Sequence, residues 1–244
     1  MTGVVAITLG FCPARVLEAG MGHFYTTATP GLIETHYFLD QHYPVDRKTN
    51  RNRLLDLCNR YGMKWVDSGR DRGMCAGANF LLSQLPKDTR YILGYDPDAV
   101  ATIPGWDAAM VAVLEADSEL AWVSLTPACI ADNIESGRLQ GAIRARAHNR
   151  VFVPERVDMF SITGLRADFI RDIGGFSSPF GYYGQVEMPL WAGAKQRGMS
   201  YGYLLDYPEG AGPGNLHDLE YVEWKHAHIA GDTRSFGEWL GGER

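Results

Sequence analysis

Asp96 and Asp98 stand two positions apart in the run Tyr95-Asp96-Pro97-Asp98-Ala99, directly behind the apolar stretch Tyr91-Ile92-Leu93. On a turn outside a strand, two carboxylates at that spacing can converge on one hard divalent cation. Oxygen ligands suit Mg2+ or Mn2+. A cation held there would neutralise a diphosphate leaving group. The same pair also occurs in ordinary acidic turns, so its meaning depends on its surroundings.

Those surroundings are strands and helices in alternation. Val4 to Leu9, Thr35 to Leu39, Lys64 to Val66, Arg90 to Tyr95 and Leu120 to Leu125 are short, mostly apolar runs that read as strands. Asn52 to Tyr61 carries Leu54, Leu55, Leu57, Cys58 and Tyr61 at helical spacing, with Gly62 just past its end. Met74 to Leu85 and Pro104 to Ala116 read as further helices. The spacing predicts an α/β fold with a mixed, mainly parallel sheet and helices on both faces. Ligands of such sheets sit beyond the carboxyl ends of the strands. That singles out Asp40, Asp67, Asp96 and Asp98.

The second half reads less regularly. Ala131 to Arg150 is polar, with Arg138, Arg144, Arg146 and Arg150, and is expected to be a surface excursion that could also meet an anionic ligand. Val151 to Ile162 reads as strand, Arg166 to Ile173 and Glu187 to Arg197 as helices, and Met199 to Leu205 as a late strand. Gly210 to Gly214 is glycine-rich and expected to be flexible, and His217 follows it. His226 and His228 form a pair that shares one side of a strand but not of a helix. Trp106 and Trp191 read as core or pocket-wall residues. No repeat or linker interrupts residues 1–244, so one domain is expected. Residues 1–125 would form its nucleotide and metal half, and 126–244 its acceptor and catalytic half.

The bulk composition is that of an ordinary soluble globular chain: 244 residues, 45% hydrophobic and 21% charged. A net charge of −6 offers no global attraction for nucleic acid or anionic membrane. No apolar run reaches the roughly 18–20 residues that span a bilayer. Met1 to Leu9 lacks a basic leader region and reads as a strand. Cys12, Cys58, Cys75 and Cys129 show no Cys-x-x-Cys spacing and are expected to be small buried residues in a reducing, cytoplasmic setting.

The order of the motifs resembles the GT-A glycosyltransferases, in particular the large family-2 group, over roughly residues 4–205. The pieces are Arg72-Gly73-Met74-Cys75-Ala76-Gly77-Ala78-Asn79, then Asp96-Pro97-Asp98 and Pro104-Gly105-Trp106-Asp107. Ile173-Gly174-Gly175-Phe176 and Phe180-Gly181-Tyr182-Tyr183-Gly184-Gln185-Val186-Glu187 follow. The resemblance implies a divalent cation, Mn2+ or Mg2+, on Asp96 and Asp98, with His217 closing the site as a third ligand. It implies a nucleoside contact from Asp40, with Arg72 and Asn79 lining the nucleotide pocket. Glu187 falls where inverting members hold their base. The family usually has Glu-Asp there, and this chain has Val186-Glu187. Read from the residues alone, Glu187 also suits a helix start, since Pro189 fits a first turn and the helix N-terminus favours a carboxylate.

The implied activity is sugar transfer from a nucleotide-sugar donor, a UDP-sugar by default, to an acceptor hydroxyl with inversion. The acceptor stays open among a glycan, a lipid-linked sugar, a protein, a small molecule or a modified nucleic-acid base. Two alternatives stand beside it. A nucleotidyltransferase of similar fold usually has a glycine-rich basic loop after its first strand, whereas Gly10-Phe11-Cys12-Pro13-Ala14-Arg15 holds one glycine. A catalytically silent sugar-nucleotide or carbohydrate-binding protein would not need Asp96, Asp98 and Glu187 together.

Overall fold

The structure, a computed structural model, describes residues 3–156, 162–177, 187–210, 220, 221 and 223. Val4–Gly10 (β1), Thr35–Asp40 (β2), Lys64–Asp67 (β3), Tyr91–Tyr95 (β4) and Leu120–Thr126 (β6) are the strands expected from their apolar runs. Val100–Ala101 (β5) is a short addition. Gly141–Arg146 (β7), Asn149–Pro154 (β8), Ile162–Arg166 (β9) and Ser200–Gly210 (β10) complete a ten-stranded sheet. The order is β3-β2-β1-β4-β9-β6-β10-β8-β7, with β5 paired to β10.

The pairs β1–β2, β2–β3, β1–β4 and β6–β10 are parallel. β9 lies antiparallel between β4 and β6, so those two strands also share one direction. β1, β2, β3, β4, β6 and β10 therefore all end on one edge of the sheet. That common edge is where the sequence puts its candidate acids.

Helices cover both faces, and the period-two alternation of strand side chains divides the core accordingly. Val4 and Ala6 pack with Leu17, Met21 and Phe24 of Ala14–Thr27 (α1) and Met110 of Trp106–Ala116 (α4). Val5 and Ile7 face the other way, toward Leu81 of Gly73–Leu82 (α3) and Ala167 of Ala167–Asp172 (α6). Arg47–Tyr61 (α2) joins the first layer through Leu54, Leu57 and Cys58. Ala128–Glu135 (α5) and Glu187–Gln196 (α7) join the second through Ile130, Leu190 and Ala194.

Several expectations from the sequence change here. α1 has no counterpart in the sequence reading, because Gly20 and Gly22 lower its helix propensity. α2 begins at Arg47, earlier than Asn52, and ends as expected on Gly62 with φ 66°. The polar stretch 131–150 is not a loop. It completes α5 and forms most of the β7–β8 hairpin at the sheet edge. The strand expected from Val151 to Ile162 is two strands, β8 and β9, with different neighbours. Trp106 is fully buried and Trp191 packs partly buried against the second layer. Cys12 and Cys58 are buried as expected, whereas Cys75 is half-buried and Cys129 is exposed. No helix among the described residues is long and apolar enough to cross a membrane.

Candidate functional site

The two acids that open the argument occupy a tight turn immediately after β4. The Ala99 N–H donates to the Asp96 carbonyl at 3.0 Å, with Pro97 at the second turn position, where its fixed φ fits. Asp98 is buried and Asp96 half-buried. Both carboxylates act on one neighbouring group. The Tyr221 phenol, buried and with its ring 6.4 Å from that of Tyr43, has its pKa pushed up by burial first, then by Asp98, and also by Asp96. Carboxylate oxygens are the donor type that a hard divalent cation takes.

Asp40 and Asp67 sit side by side as register partners at the ends of β2 and β3. Arg51 of α2 binds both, with Nη2 2.9 Å from Asp67 Oδ2 and Nε 3.5 Å from Asp40 Oδ2. His42, in the left-handed region at φ 61°, places Nε2 2.7 Å from Asp67 Oδ1. Its Nδ1 contacts the Arg47 guanidinium, which leaves Nε2 as the N–H that donates to Asp67. That bond, the Gly69 N–H and Arg51 hold the Asp67 carboxyl down at about 2. Asp40 Oδ1 accepts the His42 N–H at 2.8 Å. Its Oδ2 is buried with no hydrogen bond among the described residues.

Ligand atoms of Asp40, His42 and Asp67 lie within 4.8 Å of one another, close enough to consider a metal. The Arg51 guanidinium already supplies the positive charge between these carboxylates. A cation here would have to displace it.

Arg72 and Asn79 are both tied into the scaffold. Arg72 Nε donates to the Ser68 carbonyl at 3.0 Å, and its guanidinium stacks 4.2 Å from the Phe80 ring centre. Asn79 Nδ2 donates to the Phe176 carbonyl at 2.7 Å, and its Oδ1 accepts the Phe176 N–H at 2.8 Å. Asn79 thus holds the Gly174-Gly175-Phe176 turn onto α3. Gly175, at φ 96°, is required there, since a Cβ would stand 2.4 Å from Asn79 Oδ1.

Glu187 opens α7 and shares a cavity of about 100 Å3 with Asp96. Ile7, Leu9, Met74, Ala78 and Phe176 give that cavity its apolar walls. Cys75 senses the same carboxylate: burial, then Glu187, pushes its thiol up to about 11. The arginines of the β7–β8 hairpin are engaged elsewhere. Arg146 pairs with Asp117 at 2.6 Å, Arg144 with Glu119 at 3.2 Å, and Arg150 with Asp206 at 2.6 Å. They fasten the hairpin to the sheet. His217, His226, His228 and the stretch Phe180 to Val186 lie outside the described residues.

Sequence reasoning missed Tyr221, Arg51 and His42. Arg51 alone had a signal, as a cation on a helix that follows an acid-ended strand. Nothing local marks Tyr221 or His42.

No protein-family profile matches the chain. No curated protein matches it in sequence. Solved structures do. The mannosyltransferase PcManGT from Pyrobaculum calidifontis, in complex with GDP-Man and Mn2+, aligns with a TM-score of 0.65 at 14% identity, covering 98% of this chain and 64% of that one. GalNAc-T7, solved with UDP, GalNAc and Mn2+, aligns with a TM-score of 0.64 at 10% identity, covering 85% of this chain and 43% of that one. The chain spans less than two thirds of either protein. Its fold is that of the GT-A glycosyltransferases.

Proposed function

We propose that this chain transfers a glycosyl group from a nucleoside diphosphate sugar to an acceptor hydroxyl, with Glu187 as the base. The observation that carries this reading is the shared cavity of Asp96 and Glu187 at the carboxyl edge of a GT-A sheet. One acid belongs to a pair suited to a cation, and the other opens α7. A binding protein would need the first and not the second.

In this reading Asp96 and Asp98 hold Mn2+ or Mg2+, with His217 as a third ligand. When bound, the cation supplies charge neutralisation for the departing diphosphate. Glu187 takes the proton from the acceptor hydroxyl as its oxygen bonds to the anomeric carbon. The bond from that carbon to the diphosphate oxygen breaks, and the diphosphate leaves with the electron pair. Attack from the face opposite the leaving group inverts the anomeric centre.

The role given to His217 rests on the resemblance and on the described residues to either side of it in the chain. Gly210 pairs with Val100, just beyond Asp98, and Glu220 pairs with Arg15 at the start of α1. The half-and-half division of the chain follows the same lines, with the acids of β2, β3 and β4 on the donor side and Glu187 on the acceptor side.

Uracil is the base we assign to the donor. Asp40 presents one buried oxygen without a hydrogen bond while the other is taken by the His42 N–H. That oxygen, which takes no hydrogen bond among the described residues and meets Arg51 Nε only at 3.5 Å, matches the one imide N–H of uracil. Guanine would present two parallel donors, and one of them would have to share the oxygen that the His42 N–H already uses.

Calorimetry with UDP and GDP, with Mn2+ or with chelator, tests the donor site, and donor hydrolysis followed by an acceptor panel tests the chemistry. The expected result is Mn2+-dependent binding of UDP and slow hydrolysis of a UDP-sugar. Binding with neither hydrolysis nor transfer would move the chain to the silent class.

A further inference from the structure

Beneath the Asp96-Pro97-Asp98-Ala99 turn lies a phenol. Tyr95 ends β4 with its side chain buried, and its hydroxyl oxygen is 3.0 Å from the Ala99 carbonyl oxygen and 3.3 Å from that of Gly20. The Ala101 N–H approaches the same oxygen at 3.4 Å. A phenol has one proton to give, and the shorter distance directs it to Ala99, while Ala101 donates in return. The hydroxyl thus ties the residue before Asp96 to two residues beyond Asp98. The ring itself is held by Phe24, edge-on with centroids 4.9 Å apart, and by Trp106 at 6.0 Å.

The turn is also pressed directly by α1. A Cβ at Gly20 would stand 2.3 Å from the Pro97 carbonyl oxygen. Only a residue without a side chain lets the helix backbone lie against the turn at that distance. The glycine that weakens α1 as a helix is therefore the one that seats the Asp-Pro-Asp segment.

We propose that Tyr95 and Gly20 are positioning residues that fix the separation of the Asp96 and Asp98 carboxylates and so set which divalent cation the turn accepts. This rests on the assignment of the cation to those two acids. Small cations such as Mg2+ need ligands about 2.0–2.1 Å away in near-octahedral geometry, whereas Ca2+ tolerates about 2.3–2.6 Å and looser arrangements. A turn held from below and from one side presents its oxygens at one spacing. A turn freed of the hydroxyl keeps both charges and loses the spacing. Loosening therefore discriminates against the small cation and leaves the large one nearly untouched.

The test uses the full chain with the metal alone as probe. Mg2+ and Ca2+ affinities are measured by calorimetry, and Mn2+ by paramagnetic resonance, in wild type, Tyr95→Phe and Gly20→Ala, alongside melting temperatures. The control is Ile170→Val, in the opposite core layer, whose loss of a methylene lowers stability by a comparable amount. Tyr95→Phe is expected to weaken Mg2+ and Mn2+ about fivefold, the equivalent of one net hydrogen bond, and Ca2+ by less than about twofold. Gly20→Ala should shift the same ratio, and Ile170→Val should lower only the melting temperature. Equal weakening of all three cations, or lower melting with unchanged affinities, overturns the positioning role while leaving the cation site in place. A wild type that binds none of the three removes the cation assignment itself, and this inference with it. Should Gly20→Ala fail to fold, the Mg2+ to Ca2+ ratio in Tyr95→Phe decides the matter.

Discussion

Asp40 and Asp67 are register partners on adjacent parallel strands, and a single guanidinium, that of Arg51, lies against both. Two carboxylates so placed would repel. Arg51 offsets that repulsion, and Asp40 Oδ2, 3.5 Å from its Nε, is buried with no hydrogen bond among the described residues. Asp40→Asn keeps the shape and halves the acceptor capacity. A hydrogen bond involving a charged group contributes about 1.5–3 kcal/mol, so UDP affinity should fall about 10- to 100-fold. GDP binding, weak in wild type, should change little. Calorimetry on both nucleotides checks this, and an equal loss for both would show that Asp40 does not read the base.

The Asp96–Asp98 pair should carry the whole metal dependence of nucleotide binding. Replacing both with alanine removes both carboxylate donors. Nucleotide affinity in the variant should then be the same with Mn2+ and with chelator, and equal to that of the wild type in chelator. Retained Mn2+ dependence in the double variant would move the cation to another set of ligands, the Asp40–His42–Asp67 group first among them.

Glu187 separates binding from turnover. Glu187→Gln preserves the outline of the side chain and cannot accept the proton. General-base catalysis contributes about 10²–10⁴-fold, so turnover should fall by that order while donor and cation affinities stay near wild type. The cost to the fold is a helix-terminal charge, about 0.3–1 kcal/mol. A product with retained anomeric configuration, or a variant with near-full turnover, would remove Glu187 from the mechanism.

How much of this the sequence discloses depends on how local each feature is. β1, β2, β4 and β6 are legible because each is a short, mostly buried apolar run, and β3, a half-exposed edge strand, through its Trp65-Val66 pair; the acids at their ends follow from that. Asp40, Asp67, Asp96 and Asp98 are all found this way. α1 is not legible, because Gly20 answers to the Pro97 carbonyl and not to helix propensity. The β7–β8 hairpin looks like a polar loop because its arginines find their acids far along the chain, at Asp117, Glu119 and Asp206. Asn79 looks like a pocket residue, and both of its polar groups are spent on the backbone of Phe176. Tyr221 reaches the acid turn only through tertiary packing, which no local pattern encodes.

A buried imidazole of the first layer, His36, predicts how the fold responds to acid. Its Nε2 lies 2.9 Å from Thr8 Oγ1 and its Nδ1 3.0 Å from the Tyr25 hydroxyl, so the neutral ring is fully hydrogen-bonded. The rings packed against it, Phe24 at 4.7 Å and Tyr25 at 5.9 Å between centres, carry no charge to stabilise an imidazolium. Burial alone lowers its pKa to about 3. In the unfolded chain the same imidazole titrates near 6.5. Below that value the unfolded state takes up a proton that the folded state refuses until the pH reaches about 3. His36 therefore withdraws stability as pH falls through this window, with a limiting slope of about 1.4 kcal/mol per pH unit. Its contribution above about pH 6.5 is flat. His36→Gln keeps hydrogen-bonding groups near both hydroxyls and cannot titrate. The variant should be less stable than wild type at about pH 7.5, and the gap should narrow steadily at about pH 6 and 5. Urea unfolding at those values measures the gap directly. A gap that stays constant across them would mean that the folded chain protonates His36 as readily as the unfolded one, and that burial does not control this imidazole.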